Sequence, residues 1–310
     1  MGRVSKIPEY VKEFILVKYE TSKNITAIAK EAKRIFELEF DVELIRRWAS
    51  SFLQKQGAST VIKRLFFDIE TSQMYFRGWR TGEQYVSAEQ IVKGNKIICI
   101  CYKWQYEDEV HRLVWDSKQD DKAILKKFIK ILGEANEIVG HNGDRFDIKQ
   151  IRTRAIQQKV LMFPKYRTLD TLKKARAYFS FPSNKLDYLG QILEVGRKLD
   201  HEGRGLWDKV EAGNKTALKT MVDYCAQDVI LLEDVFHVLS PYIDHNTNHA
   251  VLNKFSKWRC PECGSNNVSL CHTDTTAMGY IKRHMKCKCK KQYHVSNKTY
   301  LNYVESLKNK

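Results

Sequence analysis

No stretch of the 310-residue chain approaches the run of about 18 apolar residues that crosses a bilayer, so a membrane span is not expected. The opening residues, Met1-Gly2-Arg3-Val4-Ser5-Lys6, lack the apolar core of a signal peptide. Internal repeats and low-complexity segments are absent as well, which excludes a repeat array and leaves ordinary globular domains. The eight cysteines do not form a secreted disulfide framework: four cluster near the C-terminus at knuckle spacing, and Cys99 and Cys101 sit inside an apolar run. The expectation is a soluble, intracellular (cytoplasmic) protein with no membrane partner and one metal knuckle. Acid is in short supply too. Against 53 Lys and Arg stand 37 Asp and Glu, and the formal charge of +16 points to a polyanionic partner.

That charge is uneven. Residues 1–57 carry 11 basic and 8 acidic side chains, residues 58–250 carry 30 and 26, and residues 251–310 carry 12 and 3, so the tail is the basic part. A hydrophobic fraction of 43% with 11% aromatics can build a core, and the length suits two or three domains. We divide the chain into residues 1–57, a helical, helix-turn-helix-like domain; 58–245, an α/β domain; and 246–310, a cysteine-rich module. The first is expected as helices over 8–18, 25–37 and 41–55, with Ile25, Ile28, Ala29, Ala32 and Ile35 at helical spacing and Arg46 and Arg47 on the last helix. A packing bundle for a protein partner is the alternative there. Gln56-Gly57-Ala58-Ser59 reads as a linker.

From residue 61 the pattern changes to strands: Val61–Ile69, Ile97–Trp104 and His111–Trp115, with a turn over 105–109. A helix over 120–134, a strand at 137–140, a strand or turn near 166–170, and helices over 171–178, 185–196 and 215–238 follow. The order is that of an α/β domain with a mixed sheet.

Three short motifs carry the chemistry. Asp68 and Glu70, in Phe67-Asp68-Ile69-Glu70-Thr71, lie two apart on a strand and present both carboxylates to one side. Asp147 ends Asn142-Gly143-Asp144-Arg145-Phe146-Asp147, in a turn that starts a helix. Tyr224 and Asp228 are four apart on a helix and share a face. Four clustered acids repel one another unless cations neutralise them, and two Mg²⁺ or Mn²⁺ ions meet that need while clamping both oxygens of an in-line phosphoryl displacement. Tyr224 beside Asp228 is placed to orient the attacking water.

The segment 61–240 resembles the ribonuclease H-like DEDD exonuclease superfamily, the proofreading group. Phe67-Asp68-Ile69-Glu70-Thr71 looks like its first motif, Asn142 to Asp147 like its second, and Tyr224-x-x-x-Asp228 like its third in the tyrosine form. The histidine form would need His at position 223, where this chain has Asp. Thr168-Leu169-Asp170-Thr171 and Lys185-Leu186-Asp187-Tyr188-Leu189 resemble the exonuclease domains of family-B DNA polymerases. The resemblance implies a mixed five-stranded sheet with flanking helices and 3′→5′ removal of nucleotides. It also implies two cations held by Asp68, Glu70, Asp147 and Asp228, and substrate contacts from Asn142 and Phe146. Asp170 and Asp187 are expected as structural caps.

In the tail, Cys260-Pro261-Glu262-Cys263-Gly264 is a zinc-knuckle signal. Cys287-Lys288-Cys289, with one intervening residue, is expected to complete a tetrathiolate zinc ribbon, with His284, His294 or the Cys271-His272 pair as replacement ligands. Lys282, Arg283, Lys286, Lys288, Lys290 and Lys291 around Tyr280 and Tyr293 suit contact with single-stranded or frayed nucleic acid.

The leading expectation is a metal-dependent 3′→5′ exonuclease on nucleic acid, with DNA as the substrate and a separate polymerase or a replication or repair protein as partner, in a viral or repair setting. The rivals are a DNA-binding or recombination accessory factor with a silent nuclease core, and a transposase-like ribonuclease H enzyme. The latter uses three acids and lacks the Tyr224–Asp228 pairing.

Overall fold

The computed structural model describes residues 3–4, 15, 25–36, 39–40, 45 and 63–308, apart from 106, 200–202, 246 and 253–254. It divides into two compact units, residues 63–243 and a second unit assigned residues 1–62 with 244–310. Near the N-terminus, β1 (Arg3–Val4) pairs in parallel with β2 (Glu39–Phe40), strands that periodicity does not reveal. Between them α1 (Ile25–Phe36) buries Ile28, Ala29 and Ala32 and exposes Lys30 and Lys33. The expected helices over 8–18 and 41–55 and the linker at 56–59 lie outside the described residues, except for the buried helical residues Ile15 and Ile45.

The larger unit begins with β3 (Arg64–Thr71), followed by the short pair β4 (Tyr75–Phe76) and β5 (Ile91–Lys93), then β6 (Ile97–Trp104) and β7 (His111–Val114). After α2 (Lys122–Glu134) come β8 (Glu137–Gly140), α3 (Asp147–Gln157), β9 (Thr168–Asp170), α4 (Thr171–Tyr178), α5 (Leu186–Ile192), α6 (Arg204–Glu211) and α7 (Lys215–Leu239). The five-stranded sheet has the order β7-β6-β3-β8-β9. β3 runs antiparallel to β6 and parallel to β8, β8 is parallel to β9, and β6 is antiparallel to β7. This is the expected mixed α/β sheet, with β3 at its centre.

Alternation along β3 sets everything around it. Phe66 meets Phe236 of α7 edge-on at 5.3 Å, while Phe67 meets Phe128 of α2 at 5.4 Å, so the two phenylalanines point to opposite faces. Asp68 and Glu70 therefore share the α7 face with Phe66, and Ile69 turns to the other side.

Residues 61–62 of the expected strand lie outside the described residues, Lys63 is not in β3, and the first described strand residue is charged. Arg64 is fully buried, with Nε donating to Glu137 Oε2 at 2.7 Å, Nη1 donating to Gln105 at 2.9 Å, and its guanidinium 4.6 Å from the Phe236 ring. Arg64 and Glu137 are direct partners in the β3–β8 register, so a buried ion pair pins those two strands.

Other boundaries moved for local reasons. α5 ends at Ile192 rather than 196 because the chain turns back over it: a Cβ on Gly190 would lie 2.7 Å from the Gly196 carbonyl oxygen, and Gly196 has φ +141°. α6 was not expected; it begins after Gly203 (φ +67°) without a side-chain cap. The β4–β5 hairpin was also missed, being short and exposed.

In the C-terminal part, α8 (His249–Leu252) precedes an antiparallel sheet of β10 (Val268–Thr275), β11 (Ile281–Cys287) and β12 (Gln292–Ser296). An unanticipated helix, α9 (Asn297–Lys308), packs Tyr303 into a core with Trp258, Val268, Met285 and Val295. Among the described residues no helix is long and apolar enough to cross a membrane.

Breaking the buried pair leaves a charge without its partner, so Arg64→Met or Glu137→Gln is expected to cost about 3–5 kcal/mol in urea unfolding. A loss below about 1 kcal/mol would mean that the pair does not hold β3 to β8.

Candidate active site

The carboxylates converge where β3 ends. One oxygen from each of Asp68, Glu70 and Asp228 can be chosen so that all three lie within 4.8 Å of one another. Asp228 is 2% exposed and reaches this point from α7, the helix packed over β3. Asp147 does not belong to that group of three, but it is adjacent. Its carboxylate accepts from the amide of Ile69, the residue between Asp68 and Glu70, and from its own amide at the start of α3.

Two glycines and one aspartate build the turn that delivers Asp147. A Cβ on Gly143 would lie 3.2 Å from the Gly140 Cα, and one on Gly140 would lie 3.1 Å from the Gly143 Cα, so the backbones touch. Asn142 sits at φ +66°, a conformation asparagine tolerates better than most residues. Asp170 caps α4 through the amides of Leu172 and Lys173, and its carboxylate also accepts from the Asn142 amide at 3.0 Å and the Asp144 amide at 3.4 Å. Phe146, 41% exposed, stands just before Asp147. Neither Asp170 nor Asp187 joins the carboxylate group of three; Asp187 accepts from the Lys198 amide at 2.8 Å and from Gln191.

Lys198 is the residue that motif reading missed. Its Nζ donates to Asp228 Oδ2 at 2.6 Å and to the Tyr224 hydroxyl at 3.0 Å, 5.1 Å from the centroid of the Tyr224 ring. The only sequence signal is a lysine behind a glycine turn, Gly196-Arg197-Lys198.

One ammonium does not neutralise four acids. Burial, then repulsion from Asp147, Glu70 and Asp228, raises Asp68 well above the ordinary carboxylate range. Burial and then Asp228 raise Glu70 to about 8, against the pull of Lys198. Burial raises Asp147 to about 7, opposed by the two amides it accepts from. Burial also raises Asp228, with Lys198 opposing. Tyr224 is raised, chiefly by burial, which keeps its hydroxyl protonated and removes it as a base. Hard oxygen donors gathered at this density, with charge left over, suit a hard divalent cation. Behind the oxygens lies a soft layer: Cys99, Cys101 and Cys225 have their sulfurs within 4.8 Å of one another, and Cys225 Sγ lies 3.5 Å from the Asp68 carbonyl oxygen.

The model of one protein family, described as the RNase H superfamily, matches residues 65–240, more than half of the chain. The chain belongs to the RNase H superfamily. No curated protein sequence matches it. Among solved structures, the chain is similar to the family B DNA polymerase of the hyperthermophilic archaeon Pyrobaculum calidifontis, at 16% identity and a TM-score of 0.46. The match covers 58% of this chain and 25% of the polymerase, so it spans about a quarter of that protein.

In the second unit, the four cysteines of the expected ribbon do come together. Cys260 and Cys289 sulfurs are 3.6 Å apart, as are those of Cys263 and Cys287, and all four lie within 4.8 Å. Thiolates on a tetrahedral ion with bonds of about 2.3 Å would be about 3.8 Å apart, so the set fits one zinc. Cys271, His284 and His294 are not in this cluster. The basic face is smaller than expected: Lys291 is buried, and the Tyr293 hydroxyl donates to the Trp258 carbonyl oxygen at 2.6 Å, whereas Tyr280 is 68% exposed.

The raised carboxylates give a signed prediction. Without added divalent ions, the folded chain holds protons on Glu70 and Asp147 up to about pH 8 and 7, where the unfolded chain has released them near 4.5 and 3.8. The folded state therefore binds more protons across that window, and its stability falls as pH rises through it. A cation binds the deprotonated form, so the rise in Tm on adding Mn²⁺ should be larger above pH 8 than at pH 6. A Tm gain that shrinks with rising pH would show that these acids do not receive the ion.

Proposed function

We propose that the protein is a metal-dependent 3′→5′ exonuclease that shortens nucleic acid, with DNA as its substrate, to nucleoside monophosphates. The supporting observation is the convergence of Asp68, Glu70 and Asp228 on one point of an RNase H-like sheet, with Asp147 held beside them by the Ile69 amide. The resemblance of the three motifs to the DEDD exonucleases, in the tyrosine form, supplies the direction of attack.

Asp68, Glu70, Asp147 and Asp228 would hold two Mg²⁺ or Mn²⁺ ions. When bound, such ions supply an activated water and stabilise charge on the departing oxygen. The chain's own groups do the positioning. Tyr224, protonated and hydrogen-bonded to Lys198, offers a hydroxyl that fixes the attacking water rather than taking its proton. Lys198 sets a positive charge at the edge of the carboxylates, where a scissile phosphate would lie. Asn142 and Phe146 flank the second motif, and the exposed Phe146 ring is suited to stacking on a terminal base.

Beyond β3, the β4–β5 hairpin bears Trp79 and Tyr85, 98% and 90% exposed, near Arg77 and Arg80. Its root is tied to α6: the Gln73 amide donates to Glu211 at 3.0 Å, Gln73 Nε2 donates to Asp208 at 2.8 Å, and the Tyr75 hydroxyl bonds Glu211. Aromatics among cations suit unpaired bases. A zinc ribbon on Cys260, Cys263, Cys287 and Cys289, with Lys282, Arg283, Lys286 and Lys288 at or near its surface, would add phosphate contacts whose strength falls with salt. A separate polymerase or a replication or repair protein is the natural partner for such an activity.

Asp68→Ala and Asp228→Ala should each cut Mn²⁺-dependent release of a 3′-terminal label by at least about a hundredfold while the circular dichroism spectrum is kept. Cleavage of circular single strands, or undiminished release in either variant, would remove this reading. With catalysis blocked by Asp68→Ala, the pair Trp79→Ala and Tyr85→Ala is expected to weaken single-strand binding about fivefold or more. Unchanged binding would take the hairpin out of the substrate path.

A further inference from the structure

The residues that the sequence offered as replacement zinc ligands are absent from the cysteine cluster, yet the fold gathers them elsewhere. In the β10–β11 ladder Leu270 faces Met285, and the next paired residue on β10 is His272, opposite His284. Cys271 is the extra residue of a β-bulge. Without it, Cys271 would oppose His284 and His272 would oppose Arg283. The bulge re-aims His272 into line with His284. On the other side, His284 faces His294 of β12. Three histidines thus form one row across three strands. Met285 and Val295, each next to a row member in sequence, are buried in the ribbon core, so the row occupies the opposite, outer face.

The row has a carboxylate in its grasp. His272 Nε2 lies 3.1 Å from Asp274 Oδ1, and His284 Nε2 lies 2.8 Å from Asp274 Oδ2. The His272 and His284 ring centroids are 5.2 Å apart, and those of His284 and His294 are 4.1 Å apart. Two nitrogens aimed at one carboxylate hold it between them, and they also draw the Asp274 pKa down. Ligand atoms on a tetrahedral ion with bonds of about 2.0–2.1 Å stand about 3.3 Å apart, and each imidazole nitrogen is already at a comparable distance from its own oxygen of Asp274, though the three donors do not all lie within 4.8 Å of one another. For one ion to replace the two hydrogen bonds, the His272 and His284 side chains must turn toward each other while the strands stay fixed. The neighbouring cations do not occupy the carboxylate in this arrangement: Arg283 is engaged with Asn297, Thr273 and the Tyr300 ring, and Lys282, opposite Asp274 in the ladder, is exposed.

We propose that His272, Asp274 and His284, with the adjacent His294 as fourth ligand, bind one borderline divalent transition ion of the Zn²⁺ or Ni²⁺ class, separate from the ion held by the four cysteines. Imidazole-rich donors favour these ions over Mg²⁺ and Mn²⁺, so the site would not compete with the carboxylates for the hard cations. Bound metal would tie β10, β11 and β12 together at their outer face, where the thiolate cluster does not reach. It would also add positive charge to the basic side of the ribbon. The proposal does not rest on the nuclease reading.

The test uses the whole zinc-loaded 310-residue chain in millimolar Mg²⁺ above the ordinary histidine pKa of about 6.5, and because Ni²⁺ and Zn²⁺ outcompete Mg²⁺ on carboxylates, only the equivalent that the histidine variants remove is assigned to this site. Ni²⁺ is titrated calorimetrically, and zinc content is measured after dialysis against free Zn²⁺. Expected is a second equivalent in the wild type. His272→Asn and His284→Asn should weaken that equivalent at least about tenfold, with the cysteine-bound zinc retained. His111→Asn, on the other compact unit, should bind as the wild type does. A single equivalent in the wild type, or unchanged Ni²⁺ affinity in His284→Asn, overturns the site. These positions lie on the exposed face, so loss of fold does not confuse the result, and a nuclease that fails its own test leaves this one intact.

Discussion

Charge confined at the end of a buried strand is the constraint on which this structure turns. β3 is the central strand, covered by α7 on one face and α2 on the other, and its last residues carry two carboxylates onto the α7 side. α7 brings a third, Asp228, to the same point, and α3 sets a fourth, Asp147, against the strand's backbone. Burial raises all four pKa values, so an assembly without cations carries a standing electrostatic cost. A fold maintains such a cost when a ligand relieves it.

The supporting residues make sense in that light. Asp170 spends its carboxylate on backbone amides of two segments, the start of α4 and the Asn142–Asp144 turn, so one side chain fixes where α3 begins. Asp187 anchors the Lys198 amide and so holds the loop that aims an ammonium at Asp228. Neither acid lies in the carboxylate cluster, and both act by positioning what does. The two glycines at 140 and 143 allow the close backbone contact that a longer side chain would break.

Much of this was legible in the sequence because it rests on short periods. The spacing of Asp68 and Glu70 fixes their common face, the spacing of Tyr224 and Asp228 puts them one helical turn apart, and the apolar runs of Ile97–Trp104 and Glu137–Gly140 mark strands whose bounds the structure keeps. What escaped depends on distant contacts. The burial of Arg64 has no local signal, since its partner Glu137 lies 73 residues away. Lys198 has no motif, since its role comes from a loop folded back over α5. α6 spans only eight residues and buries Leu206 and Val210, and α9 buries Tyr303 alone, so each is held by a few contacts with neighbours rather than by a long apolar stripe.

Lys198 also shows why an ammonium cannot stand in for a divalent ion here. It offers one positive charge and reaches one carboxylate, Asp228, together with Tyr224. Asp68 and Glu70 stay raised despite its field, which lowers both. A divalent cation at the shared point would meet three oxygens at once with twice the charge. The lysine would then be free to turn toward an incoming phosphate while remaining fastened by its own amide to Asp187. On the proposed function, the side chain that holds Asp228 would turn to the phosphate once a cation took its place, which would couple metal loading to the charge presented at the mouth of the site.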